Sequence, residues 1–268
     1  HPYDIAQIVE SLNNDEIASV FELLDDELSA EVLSELDEDL RVKFIASFTP
    51  NQVYHRFLKS MDSDDGADLI NDLPPDQRKS VTDFLRTEIK ADAANLISLL
   101  KYEENTAGGL MAKELVRVNV NWTVKQCIDE IRLQADEVES VYAVYVVGDD
   151  GILVGLVPLS QLIISKSNEI ISNFYDPKVV SVNDTDSAQN VSEIMDKYNI
   201  IAMPVVDFLG RLVGRITIDD VVDFIREEAE EDYQLASGLS ENVEYSDTVW
   251  VLSRARLPWL FLGLLGGI

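Results

Sequence analysis

The carboxylates of the stretch from Ile216 to Asp232, ITIDDVVDFIREEAEED, are the side chains of this sequence best suited to chemistry. Four of them follow one another at spacings of three, four and four residues: Asp220, Asp223, Glu227 and Glu231. A helix would place these four on one face, where each like-charged pair destabilises the helix by a few tenths of a kcal/mol. A hard divalent cation would convert this repulsion into attraction, because such ions prefer oxygen ligands.

A second acidic set lies far upstream, in the segment DSDDGADL, and consists of Asp64, Asp65 and Asp68. Each set has almost no Lys or Arg beside it along the chain. Two unit charges 4 Å apart repel by about 1 kcal/mol in bulk water and by about 4 kcal/mol near a protein surface. Several such pairs across one interface would push its two sides apart unless cations bridge them. A solvated acidic face is the alternative explanation of each run.

The composition excludes several classes of function. A formal net charge of -29 over 268 residues argues against binding a nucleic-acid backbone, which requires Lys and Arg. Cys127 is the one cysteine, and His1 and His55 are the two histidines, so the sequence offers no disulfide framework and no thiolate or imidazole cluster for zinc or copper. The sequence also lacks a Ser-His-Asp set, a CxxC motif and a Walker loop, so we do not expect an enzyme.

The elements that must position these acids begin with a helical repeat. Apolar residues lead successive units of 12 or 13 residues: Leu12, Leu24, Leu36, Phe48, Met61, Leu73 and Leu85. Acids or a proline that would start a helix follow most of them, as in LDDELSAEV and LPPDQRKSV. The pattern predicts short helices stacked into a small solenoid, and an ordinary helical bundle is the alternative.

A second repeat follows, with a different period. VVGDDGILVGLVPLSQLI, which begins at Val146, aligns with VVDFLGRLVGRITIDDVV, which begins at Val205, at an offset of 59 residues. Each copy predicts a buried strand, a glycine-bearing turn, a second strand and a helix. Upstream, ELVRVN (114–119) and KVVSVN (178–183) repeat as extended runs before a helix. The repeat predicts two β-α-β-β-α units related by pseudo-symmetry.

The last residues are apolar. LPWLFLGLLGGI, from Leu257 to Ile268, contains no charge, and Arg254 and Arg256 stand just before it. A membrane span needs about 20 apolar residues, so this run is too short to cross a bilayer. Its basic flank is typical of the cytosolic end of a first span, and a buried core helix is the alternative.

Together these motifs resemble a known family. The paired units are similar to cystathionine β-synthase (CBS) domains, and ENTAGGLM, MPVVDFLGRLVGRITIDDVVDFI, EEAEED and RLPWL together resemble the MgtE magnesium channels. The resemblance implies an α+β multidomain fold with five parts. They are an N-terminal all-α superhelix (1–101), two CBS domains (102–171 and 172–236), a connecting plug helix (237–256) and the start of a first transmembrane helix (257–268).

The resemblance also implies metal-binding residues. Asp64 and Asp68 match the acids with which the family's N domain faces the CBS pair, and Asp220 and Asp223 match CBS carboxylates at that junction. Glu228, Glu231 and Asp232 match the acids near the plug helix, and Gly109 of TAGGLM is expected to lend a backbone carbonyl. In the implied mechanism, Mg²⁺ bridges these acidic interfaces and favours a closed channel. The chain would act as a CBS-mediated homodimer at the cytoplasmic face of the bacterial membrane, without a nucleic-acid partner.

The sequence departs from the family pattern at three places. Asn199 stands where the family usually has Asp, so one metal site is expected to be weakened. PLSQ, from Pro158 to Gln161, replaces the usual Ser-Leu-Arg-Asp of the first CBS unit. The second copy keeps Thr217 and Asp220 at the spacing of CBS adenosine sites, which leaves ATP as a possible ligand. A helix N-cap is the alternative role of Thr217, and an adenine-nucleotide-sensing module is the alternative function.

Overall fold

The structure is a computed structural model that describes residues 1–134, 141 and 143–236. The chain forms two compact units, His1–Thr217 and Ile218–Ile268, and each is described separately below. The expected plug helix (237–256) and the start of a transmembrane helix (257–268) lie outside the described residues. Among the described residues, no helix combines the length and the apolar character that crossing a bilayer requires.

The first 99 residues are helical. Eight α-helices follow one another here: α1 (Pro2–Val9), α2 (Asn14–Phe21), α3 (Asp26–Ser34), α4 (Glu38–Ile45), α5 (Pro50–Val53), α6 (Ser63–Asp72), α7 (Pro75–Phe84) and α8 (Ala94–Leu99). A π-helical turn, Tyr54–Leu58, extends α5, while a π-helical turn, Leu85–Ile89, and a 3-10 turn, Lys90–Ala93, join α7 to α8.

The predicted repeat is confirmed for six of its seven units. Each of the first six lead residues precedes a helix that starts two positions later, as Leu24 precedes α3 and Leu73 precedes α7. The seventh expectation is wrong, because Leu85 continues the helical turn that follows α7. The residues after Leu85 are Arg86 and Thr87, so this unit lacks the acid or proline that starts a new helix elsewhere.

Polar side chains begin several of these helices. Asn13 and Glu16 form a reciprocal capping box at α2, and Thr49 and Gln52 form another at α5. The Asp25 carboxylate accepts a hydrogen bond of 2.9 Å from the amide of Leu28 in α3. These contacts satisfy amides that have no partner within the helix, which explains why short helices can follow one another so closely.

The next part contains two three-stranded sheets of the same design. The first follows the order β1 (Val116–Asn119), β2 (Val144–Val147) and β3 (Leu153–Val157), with helices α9 (Val124–Gln134) and α10 (Leu159–Ile164). The second follows the order β4 (Val182–Asn183), β5 (Ala202–Val206) and β6 (Leu212–Thr217), with α11 (Ala188–Tyr198) before β5. In each sheet the first pair of strands is parallel and the second pair is antiparallel. The helix after β6, α12 (Ile218–Ala236), belongs to the second unit.

The two sheets repeat in detail, as the offset of 59 residues predicts. Val146 pairs with Gly155 in the first sheet, and Val205 pairs with Gly214 in the second. The register shifts directly after Val146 and directly after Val205. Gly151 and Gly210 occupy the hairpin turns at positive φ, 79° and 78°, a conformation that favours glycine. The β-α-β-β prediction is therefore confirmed for both copies.

The core of the first sheet consists of its alternating apolar residues together with residues of α9 and α10. The buried members of this core are Val116, Val118, Val124, Cys127, Val144, Val146, Val157, Leu162 and Ile171. Burial on both faces explains why β2 is apolar throughout and does not alternate. The helical part has its own core, in which the rings of Phe21, Phe44 and Phe57 lie within 6.3 Å of one another.

The segment between the helices and the first sheet attaches to the second sheet. The amides of Ala107 and Gly108 donate to the carbonyls of Asp186 and Asp184, at 2.7 and 2.8 Å. Ala112 then exchanges two backbone hydrogen bonds with Arg215 of β6. The TAGGLM segment is therefore fixed on the second copy of the repeat before the chain enters the first.

Candidate functional site

The acids of α6 differ in their exposure. Asp64 is buried, with 9% of its surface exposed, and its carboxylate accepts a 3.0 Å hydrogen bond from the amide of Asp65. Asp68 lies one helical turn later on the same face and is exposed. Carboxylate oxygens in these positions are suitable ligands for a hard cation that keeps part of its water shell.

The start of α6 is the place where the helical part meets basic residues. A guanidinium nitrogen of Arg215 in β6 lies 3.6 Å from the carboxylate of Asp62, the residue before α6. The Arg215 side chain is only 7% exposed, and its Nε donates to the backbone carbonyl of Glu114. The sequence analysis expected little compensating charge near the α6 acids. The structure differs because this cation comes from a strand far along the chain.

A set of hydrogen bonds joins α6 to the same segment. The amide and the hydroxyl of Ser63 both donate to the carboxylate of Glu114, at 3.2 and 2.8 Å. The amide of Lys113 donates to the hydroxyl of Ser63 at 2.9 Å, and its ammonium group donates to the carbonyl of Val213 at 2.6 Å. Sequence reasoning missed Ser63, Lys113, Glu114 and Arg215. Arg215 had a signal, because it is a charged residue in an otherwise apolar run.

Burial lowers the pKa of Lys113 to about 8, with a further contribution from the positive charge of Lys101. The ammonium group of Lys113 also lies 6.0 Å from the ring centroid of Tyr102. The Tyr102 hydroxyl donates to Asp184 at 3.1 Å, and burial together with that carboxylate raises the pKa of Tyr102 to about 12. Both pKa shifts reflect a junction that is shielded from water.

The glycines of TAGGLM are required by close packing. A Cβ at Gly109 would lie 2.5 Å from the backbone oxygens of both Glu103 and Glu104. The Gly109 amide donates to the backbone oxygen and to the hydroxyl of Thr106, at 2.9 and 3.2 Å. The Gly109 carbonyl remains a predicted metal ligand, and these contacts hold its backbone in one position.

The acids of α12 lie in the second unit. Asp220 is half-buried near the start of the helix. Asp223 is exposed and forms a 2.9 Å ion pair with Arg226, which is also exposed, and Glu228 is exposed further along. The backbone of α12 includes Glu231 and Asp232, but their side chains lie outside the described residues. An exposed pair of this kind contributes little to stability, so it leaves Asp223 available to a cation.

Among residues 1–134, 141 and 143–236, no group of three or more His, Cys, Asp or Glu side chains is arranged to hold a metal ion. The predicted metal residues are therefore brought together only in part, as the neighbouring positions of Asp64 and Asp68 on one helix face. Their chemistry fits Mg²⁺, because they are all oxygen donors and this ion is commonly held by one or two carboxylates and retained water.

The residues that depart from the family pattern have local roles. Asn199 ends α11 with φ 52° and ψ 49°, a left-handed conformation that Asn tolerates better than most residues. Pro158 precedes α10, and its side chain makes no capping hydrogen bond. Thr217 is the last residue of β6 and is 3% exposed, directly before α12 begins.

Two family models match the chain. The model of the MgtE intracellular N domain matches residues 1–105, and the CBS domain model matches residues 107–166 and 171–227. These matches cover the helical part and both copies of the sheet repeat.

Curated relatives include the magnesium transporters MgtE of Enterococcus faecalis and Thermus thermophilus. The first is 35% identical over 177 residues and the second is 36% identical over 180 residues. Each alignment covers 65% of this chain and 39% of the relative. The chain therefore spans well under half the length of these relatives. Their names describe transporters, which confirms the expectation that this chain is not an enzyme.

Two solved structures are similar over most of the chain. The soluble part of a magnesium transporter has a TM-score of 0.76 and 30% identity, covering 85% of this chain and 89% of that one. The cytosolic domain of the Mg²⁺ channel MgtE in complex with ATP has a TM-score of 0.77 and 31% identity, covering 84% of this chain and 90% of that one. The predicted fold class, a helical N-terminal region followed by a CBS pair, is thereby confirmed. The helices, the paired sheets and these similarities together establish that the chain belongs to the MgtE family.

Proposed function

We propose that this chain is the regulatory region of a magnesium channel, and that it senses Mg²⁺ through acidic surfaces that the ion bridges. The single observation that carries this proposal is the similarity, over 85% of the chain, to the soluble part of a magnesium transporter. Magnesium is here both the cargo of the full-length protein and the signal that its regulatory region reads.

The charge of the chain supports an electrostatic mechanism. The chain carries 50 acidic residues against 21 Lys and Arg residues, so any closer approach of its parts increases repulsion between carboxylates. Mg²⁺ bound by Asp64 and Asp68 on α6, and by Asp220 and Asp223 on α12, would reduce this repulsion. Each ion stabilises the closed state only by its difference in affinity between the two states. A shift of a gate from 1:99 to 99:1 needs about 5.5 kcal/mol, which favours several weak sites over one strong site.

The proposed organisation follows the sequence analysis. The helical domain comprises residues 1–101, the CBS domains comprise 102–171 and 172–236, and the plug helix (237–256) leads to the membrane segment (257–268). We further propose a homodimer through the CBS domains, placed at the cytoplasmic face of a bacterial cell membrane. The exposed Ile163 and Ile164 of α10, at 78% and 76% exposure, are apolar residues that such an interface would cover.

The test is limited proteolysis with and without magnesium. Trypsin cleavage after the exposed residue Lys101, followed by mass spectrometry, reports on the connection between the helical domain and the CBS pair. We expect millimolar MgCl₂ to slow this cleavage at least several-fold relative to EDTA, with an equal concentration of CaCl₂ as the comparison ion. Identical cleavage in MgCl₂ and EDTA would contradict the proposal.

A second candidate function is adenine-nucleotide binding. A similar cytosolic domain forms a complex with ATP, and this chain keeps Thr217 and Asp220 at the spacing of CBS adenosine sites. Calorimetric titration with ATP should give a binding signal that Thr217→Val weakens at least tenfold and that Thr185→Val, a change outside this spacing, leaves unchanged. Titration with MgCl₂ alone separates this function from magnesium sensing, and the absence of heat with ATP would exclude it.

A further inference from the structure

The contact between α6 and the CBS pair is built from the protein's own charges. Glu114 Oε2 accepts three hydrogen bonds, from the amide and hydroxyl of Ser63 and from the amide of Lys113, at 2.8 to 3.2 Å. Ser63 is 6% exposed, so water has little access to these bonds. A carboxylate that accepts several shielded hydrogen bonds is held strongly in position.

Arg215 ties together three segments at this place. Its backbone pairs with Ala112, its Nε donates to the Glu114 carbonyl, and its guanidinium faces Asp62 at 3.6 Å. The first two contacts fix the TAGGLM segment to β6, and the third connects that strand to the start of α6. Because Arg215 is buried, loss of one acidic partner would leave a charge that water cannot readily solvate.

The charges of this cluster are balanced, unlike those of the chain as a whole. Two cations, Lys113 and Arg215, face two anions, Asp62 and Glu114, in a chain of formal net charge -29. Repulsion therefore does not act at the start of α6, although it acts between the exposed acids elsewhere. The cluster needs no bound ion to hold its two sides together.

We propose that Asp62, Ser63, Lys113, Glu114 and Arg215 form a metal-independent latch that holds the start of α6 on the CBS pair when no divalent cation is bound. Magnesium would then complete the contact further along α6, beginning from a helix that is already held at one end. The latch would lower the magnesium concentration needed for closure, because the entropy of bringing the two surfaces together is already reduced. This last consequence rests on the proposed function, whereas the latch itself does not.

The test is hydrogen exchange measured by mass spectrometry in EDTA on the 268-residue chain. Ser63→Ala should speed exchange in the peptide around Lys113 at least tenfold, and Glu114→Ala should do the same in the peptide around Ser63. Each effect is read away from the altered residue, so a purely local disturbance would not produce it. The double variant should exchange no faster than the faster single variant, because both changes break one connected set.

Matched controls are Ser80→Ala on α7 and Glu88→Gln after α7, both at exposed positions. Asp62→Asn, which removes one charge opposite Arg215 and no side-chain volume, serves as a second variant if Ser63→Ala folds poorly. Unchanged exchange in the remote peptides, or additive effects in the double variant, would overturn the latch. If MgCl₂ slows exchange equally in all variants, the proposed function stands without the latch. If MgCl₂ has no effect anywhere, the proposed function fails, and exchange in EDTA still decides the latch.

Discussion

Gly108 shows how one residue fixes the segment that connects the helical part to the sheets. Its amide donates to the Asp184 carbonyl at 2.8 Å, and a Cβ at this position would lie 2.8 Å from that same oxygen. It would also collide with the ring of Tyr102, whose hydroxyl is bonded to Asp184. The glycine is therefore required by close approach of the backbone to its neighbours, since its φ is not positive.

Gly108→Ala should destabilise the chain by roughly 1–3 kcal/mol, the usual range for overpacking a tight contact. The measurement is the urea midpoint of unfolding. Gly66→Ala in α6 is the matched control, because its Cβ would meet only the flexible side chains of Leu96 and Leu58, at 3.2 and 3.4 Å. This control should be close to neutral, since Ala also favours a helix over Gly by roughly 1 kcal/mol. Equal midpoints for the two variants would show that the Gly108 contact is not tight.

At the residue scale, the sequence identified the acids but not their basic partners. Asp64, Asp68 and Asp223 were found by their density and spacing, which require no knowledge of the fold. Arg226 pairs with Asp223 from the same helix, and this pairing follows from an i,i+3 spacing. Arg215 faces Asp62 from another domain, so only the three-dimensional structure reveals that pair.

At the scale of elements, the N-caps of the short helices can be compared directly. Asp25 precedes α3 and its carboxylate accepts a hydrogen bond from Leu28, whereas Asp37 precedes α4 and makes no capping hydrogen bond. Both carboxylates are exposed, and both carry the same charge near a helix start. They therefore differ in the cap contact and share the electrostatic effect of the helix dipole.

Asp25→Ala should destabilise the chain by about 1 kcal/mol, because it leaves a helix amide without its partner. Asp37→Ala should cost roughly half as much or less, since it removes only the favourable charge. Thermal unfolding followed by circular dichroism in the same buffer measures both. A larger loss for Asp37→Ala than for Asp25→Ala would contradict the cap assignment.

The elements were predictable where the sequence carries its own punctuation. The acid or proline after each of six lead residues announced a helix, and the glycines at 151 and 210 announced the two hairpins. The same reasoning failed at Leu85, where the apolar spacing persists but the starting signal is missing. Spacing alone therefore predicts which face is buried, whereas helix ends require local polar chemistry.

At the scale of the whole molecule, the order of motifs was sufficient for the fold. A helical repeat followed by two copies of a strand-helix-strand-strand unit leaves few arrangements, and the sheets follow the predicted one. The junction between the helices and the CBS pair was not predictable, because its contacts join Ser63 to Glu114 and Asp62 to Arg215 across long stretches of chain. Those contacts decide how much of the closure depends on magnesium and how much on the protein.

The proposed repulsion can be removed without any metal. Asp68→Asn combined with Asp220→Asn deletes one negative charge from α6 and one from α12 while keeping the shape of both side chains. In EDTA and low salt, this double variant should resist trypsin at Lys101 nearly as well as the unaltered chain does in MgCl₂. Its remaining response to MgCl₂ should be several-fold smaller, because two of the proposed ligands have lost their charge.

Asp83→Asn combined with Asp196→Asn is the control with the same change in net charge, at exposed positions on α7 and α11. It should behave like the unaltered chain, since general charge reduction is not the proposed cause. Raising NaCl from 0.05 to 0.5 M should shrink the difference between the double variant and this control, because screening weakens repulsion between exposed carboxylates. If both double variants became equally resistant in EDTA, total charge rather than the placement of Asp68 and Asp220 would govern closure. If neither did, the bridging ion would have to act by ordering the chain, and the latch at the start of α6 would remain as the contact present without metal.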